Sequence, residues 1–153
     1  MKKLEHKIPP PIVMLCCAAL MWCTSTLGML FSIPSFSKIV IILILFICAL
    51  IFLFGGISSF KKSDTTINPL QPEAASKLVT SGIYTISRNP MYVGMIFLLF
   101  AWGIYLTSIV AFFWIAIFML IIQRLQIIPE EHALTKLFGD DFKRYQAKVR
   151  RWL

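Results

Sequence analysis

Ile39-Val40-Ile41-Ile42-Leu43-Ile44-Leu45-Phe46 opens an apolar run that continues to about Phe60. Its β-branched residues suit a strand, but strands run to about 4–8 residues and this run is far longer. Length decides for a helix, and one this apolar meets the ~20 residues that a bilayer crossing needs. The rest of the chain agrees: of 153 residues, 58% are hydrophobic and only 14% charged. A soluble domain of that size cannot hide so much apolar surface in one core.

Working outward from residues 39–60, three more apolar segments emerge. Residues 12–31 form a first span behind Pro9-Pro10-Pro11, since proline suits a first helical turn and resists a longer one. Lys2, Lys3 and Lys7 ahead of it resemble the start of a signal peptide. The apolar stretch, however, has the length of a spanning helix and ends without a small-residue cleavage site, so it reads as a retained span. Residues 91–125 are apolar again, interrupted near Tyr105-Leu106-Thr107-Ser108. This predicts two short helices, 91–105 and 108–125, joined by a tight turn. Both are near the lower length limit for spanning, which leaves a re-entrant hairpin open. The expected fold is a single all-α domain over 1–153, polytopic in the membrane, with about four transmembrane helices and a polar C-terminal segment, 126–153.

In that last segment Pro129 suits a helix start, with Glu130 and Glu131 in the first turn where the helix dipole favours negative charge. Gly139 can end the helix and Asp140 can cap another. Phe142, Tyr145, Val149 and Trp152 then fall at spacings of three and four, giving one apolar face bordered by Lys143, Arg144, Lys148, Arg150 and Arg151. Such a helix suits the interface of an anionic membrane.

The formal net charge is +8, and the positives lie in blocks outside the apolar runs. The N-terminal arm, the 61–90 segment (with Lys61, Lys62, Lys77 and Arg88, and with Pro69 and Pro72 breaking any long helix) and the C-terminal tail hold almost every Lys and Arg. Four spans put all three on one side, and the positive-inside rule makes that side cytoplasmic, with both termini there. A bacterial inner membrane fits this pattern. No aromatic-interleaved basic groove for nucleic acid is visible. Cys16, Cys17, Cys23 and Cys48 lie inside apolar runs, with no CxxC pair, and His6 and His132 are far apart. Neither a metal site nor a disulfide framework is expected.

Two polar places carry chemistry. One is residues 82–94, Gly-Ile-Tyr-Thr-Ile-Ser-Arg-Asn-Pro-Met-Tyr-Val-Gly, at the entry to span three; the other is Glu130-Glu131, just beyond span four. Folding the hairpin between them brings both to the same membrane surface. Arg88 can hold a carboxylate or phosphate with its forked guanidinium. Glu130 and Glu131 can accept hydrogen bonds or balance a cation, and Asn89 both donates and accepts. Gly94 allows close approach, and Tyr84 and Tyr92 can stack on a ring or face a cation. The set suits a zwitterion carrying an aromatic base. Taken singly, each residue has a structural reading as well. Arg88 can anchor a helix end at the headgroups, Tyr92 and Trp102 can be belt aromatics, and the glutamates can serve a helix N-terminus.

The run Leu78-Val79-Thr80-Ser81-Gly82-Ile83-Tyr84, then Arg88-Asn89-Pro90-Met91-Tyr92-Val93-Gly94, then Pro129-Glu130-Glu131, Phe138-Gly139-Asp140-Asp141-Phe142, Tyr145 and Val149-Arg150-Arg151-Trp152, resembles the isoprenylcysteine carboxyl methyltransferase and phospholipid methyltransferase superfamily. The likeness begins near Thr66-Ile67-Asn68-Pro69, and the first two spans share no motif with it. It implies S-adenosylmethionine as methyl donor, in a pocket of the last membrane helices and the C-terminal segment. It implies cofactor contacts from Leu78, Val79, Gly82, Tyr84, Arg88, Asn89, Tyr92, Gly94, Glu130 and Glu131, with Arg88 and Glu131 as catalytic residues. Many members carry His where this chain has Asn89, and an amide is no acid or base near neutral pH, so Asn89 reads as a positioning residue. Arg124 and Gln126 at the end of span four are weaker candidates for acceptor binding.

The expected activity is methyl transfer to a lipophilic or membrane-delivered acceptor, a carboxylate, amine or thiol, by in-line displacement resting on positioning and desolvation. The motifs do not choose among these acceptors, and they do not fix an oligomeric state. A membrane scaffold or accessory subunit keeping the pocket without turnover is the alternative. A transport role is disfavoured by the near absence of ionisable residues in the spans.

Overall fold

The computed structural model describes residues 8–62 and 77–153. Lys2, Lys3, His6 and Lys7 of the N-terminal arm, and the 66–69 motif, Pro69 and Pro72 of the middle segment, lie outside the described residues. Five helices follow one another: α1 (Pro10–Thr24), α2 (Ser35–Lys62), α3 (Pro90–Leu106), α4 (Ile109–Ile122) and α5 (Ile128–Lys148). A 3-10 turn, Gly82–Thr85, precedes α3, and a π turn, Gln123–Ile127, joins α4 to α5. Among the described residues β pairing is limited to one isolated bridge, Leu30 with Ser108.

Two helices are long and apolar enough to cross a membrane: Ser35–Lys62 and the continuous Ile109–Lys148. The apolar α1 and α3 are shorter, at 15 and 17 residues. The exposure of α2 is informative. Its inner side packs on α3 through Ala49, Leu53 and Gly56, while Leu43, Ile44, Phe46, Ile47, Ile51 and Phe54 are exposed. A water-soluble protein rarely leaves so large an apolar wall uncovered, whereas a bilayer covers it at no cost.

The main core lies between α1, α3 and α4. Val13, Cys17 and Met21 of α1 meet Ile96 and Leu99 of α3 and Ala111, Ile115 and Phe118 of α4. Trp102 Nε1 donates to the Ala18 carbonyl at 3.0 Å, tying α3 to α1. The expected turn between spans three and four is present: Thr107, at φ 51°, and Ser108 link α3 to α4.

A second, smaller core sits at one end of the bundle. Val79 and Tyr84 pack there against Phe142 and Tyr145, bordered by Phe60, Leu78, Leu134 and Phe138. Phe142 is 2% exposed, and full burial of such a ring contributes about 1.5–3 kcal/mol.

Four expectations change. The first helix stops at Thr24 instead of reaching Phe31. The Thr24 and Ser25 hydroxyls bond back to the Leu20 and Trp22 carbonyls. The next residues then pair with the α3–α4 turn, through Phe31 N–H to Thr107 O and Ile109 N–H to Met29 O. Secondly, Pro129 stands in the first turn of α5 with Glu130 and Glu131, as expected, but no break separates α5 from α4. Proline lacks an N–H and its ring collides with the carbonyl four residues back. The π turn immediately upstream loosens that register, so one continuous helix passes through. Thirdly, Gly139 ends one helical stretch as expected, at φ 52° and ψ −121°, and the second stretch follows directly across this kink within the range given as α5. Asp140, next to the kink, accepts from Lys143 Nζ at 2.9 Å, and this contact holds its carboxyl below the usual range. Lastly, the apolar face of the final helix is turned inward. Phe142 and Tyr145 are core residues, and Trp152 packs on the main core, so this face is not offered to lipid.

Candidate active site

The antiparallel course of the helices brings the chemistry to the end of the bundle that holds the second core. The start of α3, the end of α2, the π turn and α5 all meet there. Gly82 shapes the entry. Its φ of +64° suits glycine, and an added Cβ would lie 2.8 Å from Ser59 Oγ on α2. The 3-10 turn then buries Tyr84, whose carbonyl accepts from Tyr145 Oη at 2.7 Å. Burial pushes both phenols up, so each stays a neutral donor.

Beyond the turn the chain meets its own C-terminus. Arg88 N–H donates to Arg150 O at 3.0 Å. Asn89 Nδ2 donates to Arg151 O at 2.9 Å, and buried Ser87 Oγ to the same oxygen at 3.4 Å. Ser87 Oγ also accepts from Asn89 N–H at 3.1 Å. Asn89 is therefore a positioning residue in the plain sense: its amide fixes the strand of backbone that carries Arg151. Pro90 follows at the first position of α3, where a missing N–H costs nothing.

The two glutamates differ. Glu131 takes a forked contact from Arg151, Nε to Oε1 at 3.0 Å and Nη2 to Oε2 at 2.7 Å. This pairing raises the Arg151 pKa. Arg88 Nη1 stands 3.2 Å from the same Oε1, at ion-pair distance but off the hydrogen-bond direction. The Nε and Nη1 of Arg88 are buried and have no hydrogen-bond partner among the described residues. Glu130 instead accepts from Tyr92 Oη at 2.6 Å. Burial pushes its carboxyl up to about 7; the Tyr92 hydrogen bond opposes this and the Glu131 charge adds to it.

Arg88, Asn89 and Glu131 thus share one polar network through Arg151, and the Tyr92–Glu130 pair adjoins it. Val79 and Tyr84, with partly buried Leu78, belong to the second core at the same end of the bundle. Gly94 stands apart. A Cβ there would lie 2.7 Å from Leu53 Cγ and 3.0 Å from the Ala49 carbonyl, so its bare face is turned to α2 and lets the two helices close. Arg124 is exposed. Gln126 is 1% exposed, and its Nε2 donates to Ile8 O at 2.8 Å. Sequence reasoning gave Arg151 to lipid headgroups and left Ser87 unassigned. The available signal for Arg151 was its place in the Val149–Trp152 motif; its partner, twenty residues away, depends on the kink at Gly139.

The model of the phospholipid methyltransferase family matches residues 37–141. The chain belongs to the phospholipid methyltransferase family. Membership brings methyl transfer at a membrane, and it agrees with the superfamily resemblance carried by the 78–94 and 129–152 motifs. The matched region begins well before Thr66, so the likeness extends over α2 as well, and it takes in the whole polar network except the Arg150–Arg151 backbone and Arg151 itself. An uncharacterized protein of Haemophilus influenzae is 43% identical over 63 residues, which are 41% of this chain and all of that protein. No solved structure matches the chain significantly.

Proposed function

We propose that this phospholipid methyltransferase family member uses S-adenosylmethionine to methylate a lipophilic or membrane-delivered acceptor at the cytoplasmic face of a bacterial inner membrane. The observation that carries the proposal is Arg88. A guanidinium whose buried Nε and Nη1 lack hydrogen-bond partners among the described residues, with Nη1 beside Glu131 as its one ion-pair neighbour there, has donors left for an anion, and buried polar groups are seldom left that way. The donor's amino-acid carboxylate matches it in charge and in planar geometry. Glu131, held by Arg151, lies beside it to receive the donor's ammonium, and partly buried Leu78, at the edge of the second core, offers an apolar contact to an adenine ring. Asn89 and Gly82 shape this half of the site. The bound donor supplies an electrophilic methyl group on a sulfonium; the protein binds, orients and excludes water.

Charge supports the orientation. Every described Lys and Arg except Lys38 belongs to the site end of the bundle. Lys38 lies at the opposite end, its Nζ 5.2 Å over the Tyr105 ring, which itself stacks on Trp102. A cation with Tyr and Trp is the composition of a membrane–water interface, and the uneven distribution of positive charge favours a cytoplasmic site side. On this reading α1 to α4 are four spans, and an acceptor in the bilayer arrives sideways between helices while the donor enters from water.

Calorimetry of the detergent-purified protein with S-adenosylmethionine and S-adenosylhomocysteine tests the proposal. Both should bind saturably, and Arg88→Ala should weaken binding about 100-fold, as expected for a lost charge-assisted pair. Folded protein that binds neither ligand would leave a membrane scaffold in place of the enzyme.

A further inference from the structure

Arg88 and Glu131 are opposite charges at ion-pair distance, with side chains only 12% and 13% exposed. An arginine and a carboxylate so placed ordinarily close into a forked, two-bond contact. These two do not. The fork on Glu131 comes from Arg151, through Nε to Oε1 and Nη2 to Oε2, while the Arg88 Nη1 stays off the hydrogen-bond direction. Arg151 can hold that place because its backbone is fixed independently of Glu131. The chain leaves α5 at Val149 in an extended conformation, φ −122° and ψ 133°. It then runs beside residues 87–89, with Arg88 N–H donating to Arg150 O and Asn89 Nδ2 to Arg151 O, and Trp152 packs on the main core. The backbone of Arg88 therefore helps to hold the arginine that keeps Glu131 off the side chain of Arg88.

We propose that Arg151 is a positioning residue for the donor site: its fork on Glu131 stops Glu131 from closing on Arg88, so that the two charges stay separately available to the ammonium and the carboxylate of one amino-acid ligand. The assignment rests on the donor binding proposed for the same site. A guanidinium and a carboxylate that satisfy each other have little left for a zwitterion, which must first break their pair. A carboxylate oxygen has two lone pairs, so Glu131 can keep the Arg151 fork and still accept from an ammonium. Without the fork the buried carboxylate loses its partner, and the nearest remaining cation is Arg88. Glu131 then turns to Arg88, and both halves of the site are lost together.

Calorimetry of the full-length protein in detergent tests this with two probes. One is S-adenosylhomocysteine; the other is its analogue lacking the α-amino group, which offers a carboxylate alone. Arg151→Gln should weaken both about tenfold, although the analogue has no ammonium for Glu131 to hold. Adding Glu131→Gln to that variant releases Arg88. The double variant should bind the analogue within about threefold of the parent, while S-adenosylhomocysteine stays about tenfold weaker. Arg151→Lys keeps the charge without the fork and should fall between the parent and Arg151→Gln. Recovery on a second substitution is a result that a merely structural Arg151 does not give, because lost packing would leave the double variant no better than the single one. A double variant that binds the analogue no better than Arg151→Gln overturns the inference and leaves the methyltransferase intact, as does parent-like binding of both probes by Arg151→Gln. If Arg151→Gln does not fold, Arg151→Lys with and without Glu131→Gln gives the same comparison. A folded parent that binds neither probe removes the donor site itself.

Discussion

The two ends of the bundle are held by different means. At the site end, side chains from four segments converge on a few shared atoms. Arg151 O accepts from both Asn89 and Ser87, and Glu131 meets two arginines. At the opposite end the ties are pairwise and mostly backbone: Phe31 to Thr107, Ile109 to Met29, and the Trp114 indole to Thr24. A shared-atom network stands or falls together, because removing one member strands the rest in a low-dielectric setting. A set of separate pairs loses one increment at a time. The polar end therefore concentrates stability and chemistry in the same residues, and substitutions at the two ends should differ in size and in kind.

The largest effect belongs to Glu131→Ala. It leaves Arg88 and Arg151 facing each other, with the side chain of Arg88 only 12% exposed. Breaking a buried pair by removing one partner costs about 3–5 kcal/mol, and the partial exposure of Arg151 puts this case near the lower figure. Unfolding in mixed detergent should show it, and Glu131→Gln should recover part of the loss. A change below about 1 kcal/mol would mean that water already screens the trio, as it does surface pairs.

Gly94→Ala comes next. The new methyl meets Leu53 Cγ and the Ala49 carbonyl, and the latter is backbone that cannot step aside. Overpacking of this kind costs about 1–3 kcal/mol. The same variant separates two readings of Gly94. If the glycine serves the α2–α3 contact, stability falls while the folded protein binds S-adenosylhomocysteine as the parent does; a selective loss of binding would return Gly94 to the site.

Much of this was legible in the sequence, and the exceptions have a common cause. The helices expected at 39–60 and 91–105 are Ser35–Lys62 and Pro90–Leu106, and the expected 108–125 is α4 with most of the π turn. Apolar length and proline position are local signals, so they survive folding. Arg88, Asn89, Tyr92 and the glutamates were legible as a group because motif and hairpin geometry both point to them. What was missed depends on distant partners. The end of α1 at Thr24 is set by pairing with residues 107–109, more than eighty positions away. The inward turn of the Phe142 face is set by the 78–84 segment, and the place of Arg151 by a kink and two carbonyl contacts. A helical wheel shows that a face is apolar, but not whether lipid or protein will cover it.

The smallest predicted effect is at the far end. Trp114 Nε1 donates to Thr24 Oγ1 at 2.9 Å, while Thr24 Oγ1 donates in turn to Leu20 O at 2.7 Å. Thr24→Val keeps the shape of the side chain and removes both bonds. Each is worth about 1 kcal/mol or less in net terms, and the indole N–H sits where bilayer-interface water can replace its partner. The loss should therefore be about 1 kcal/mol, with S-adenosylhomocysteine affinity unchanged because nothing at this end reaches the network of Arg88 and Glu131. A loss of 3 kcal/mol or more would show that the short α1 ends at Thr24 because of this hydroxyl, and that the far end is as cooperative as the site. Weakened ligand binding would be more telling still. It would mean that the two ends communicate through α1 and the Ile8–Gln126 contact, a polar tie by which α1's N-terminal approach reaches the π turn.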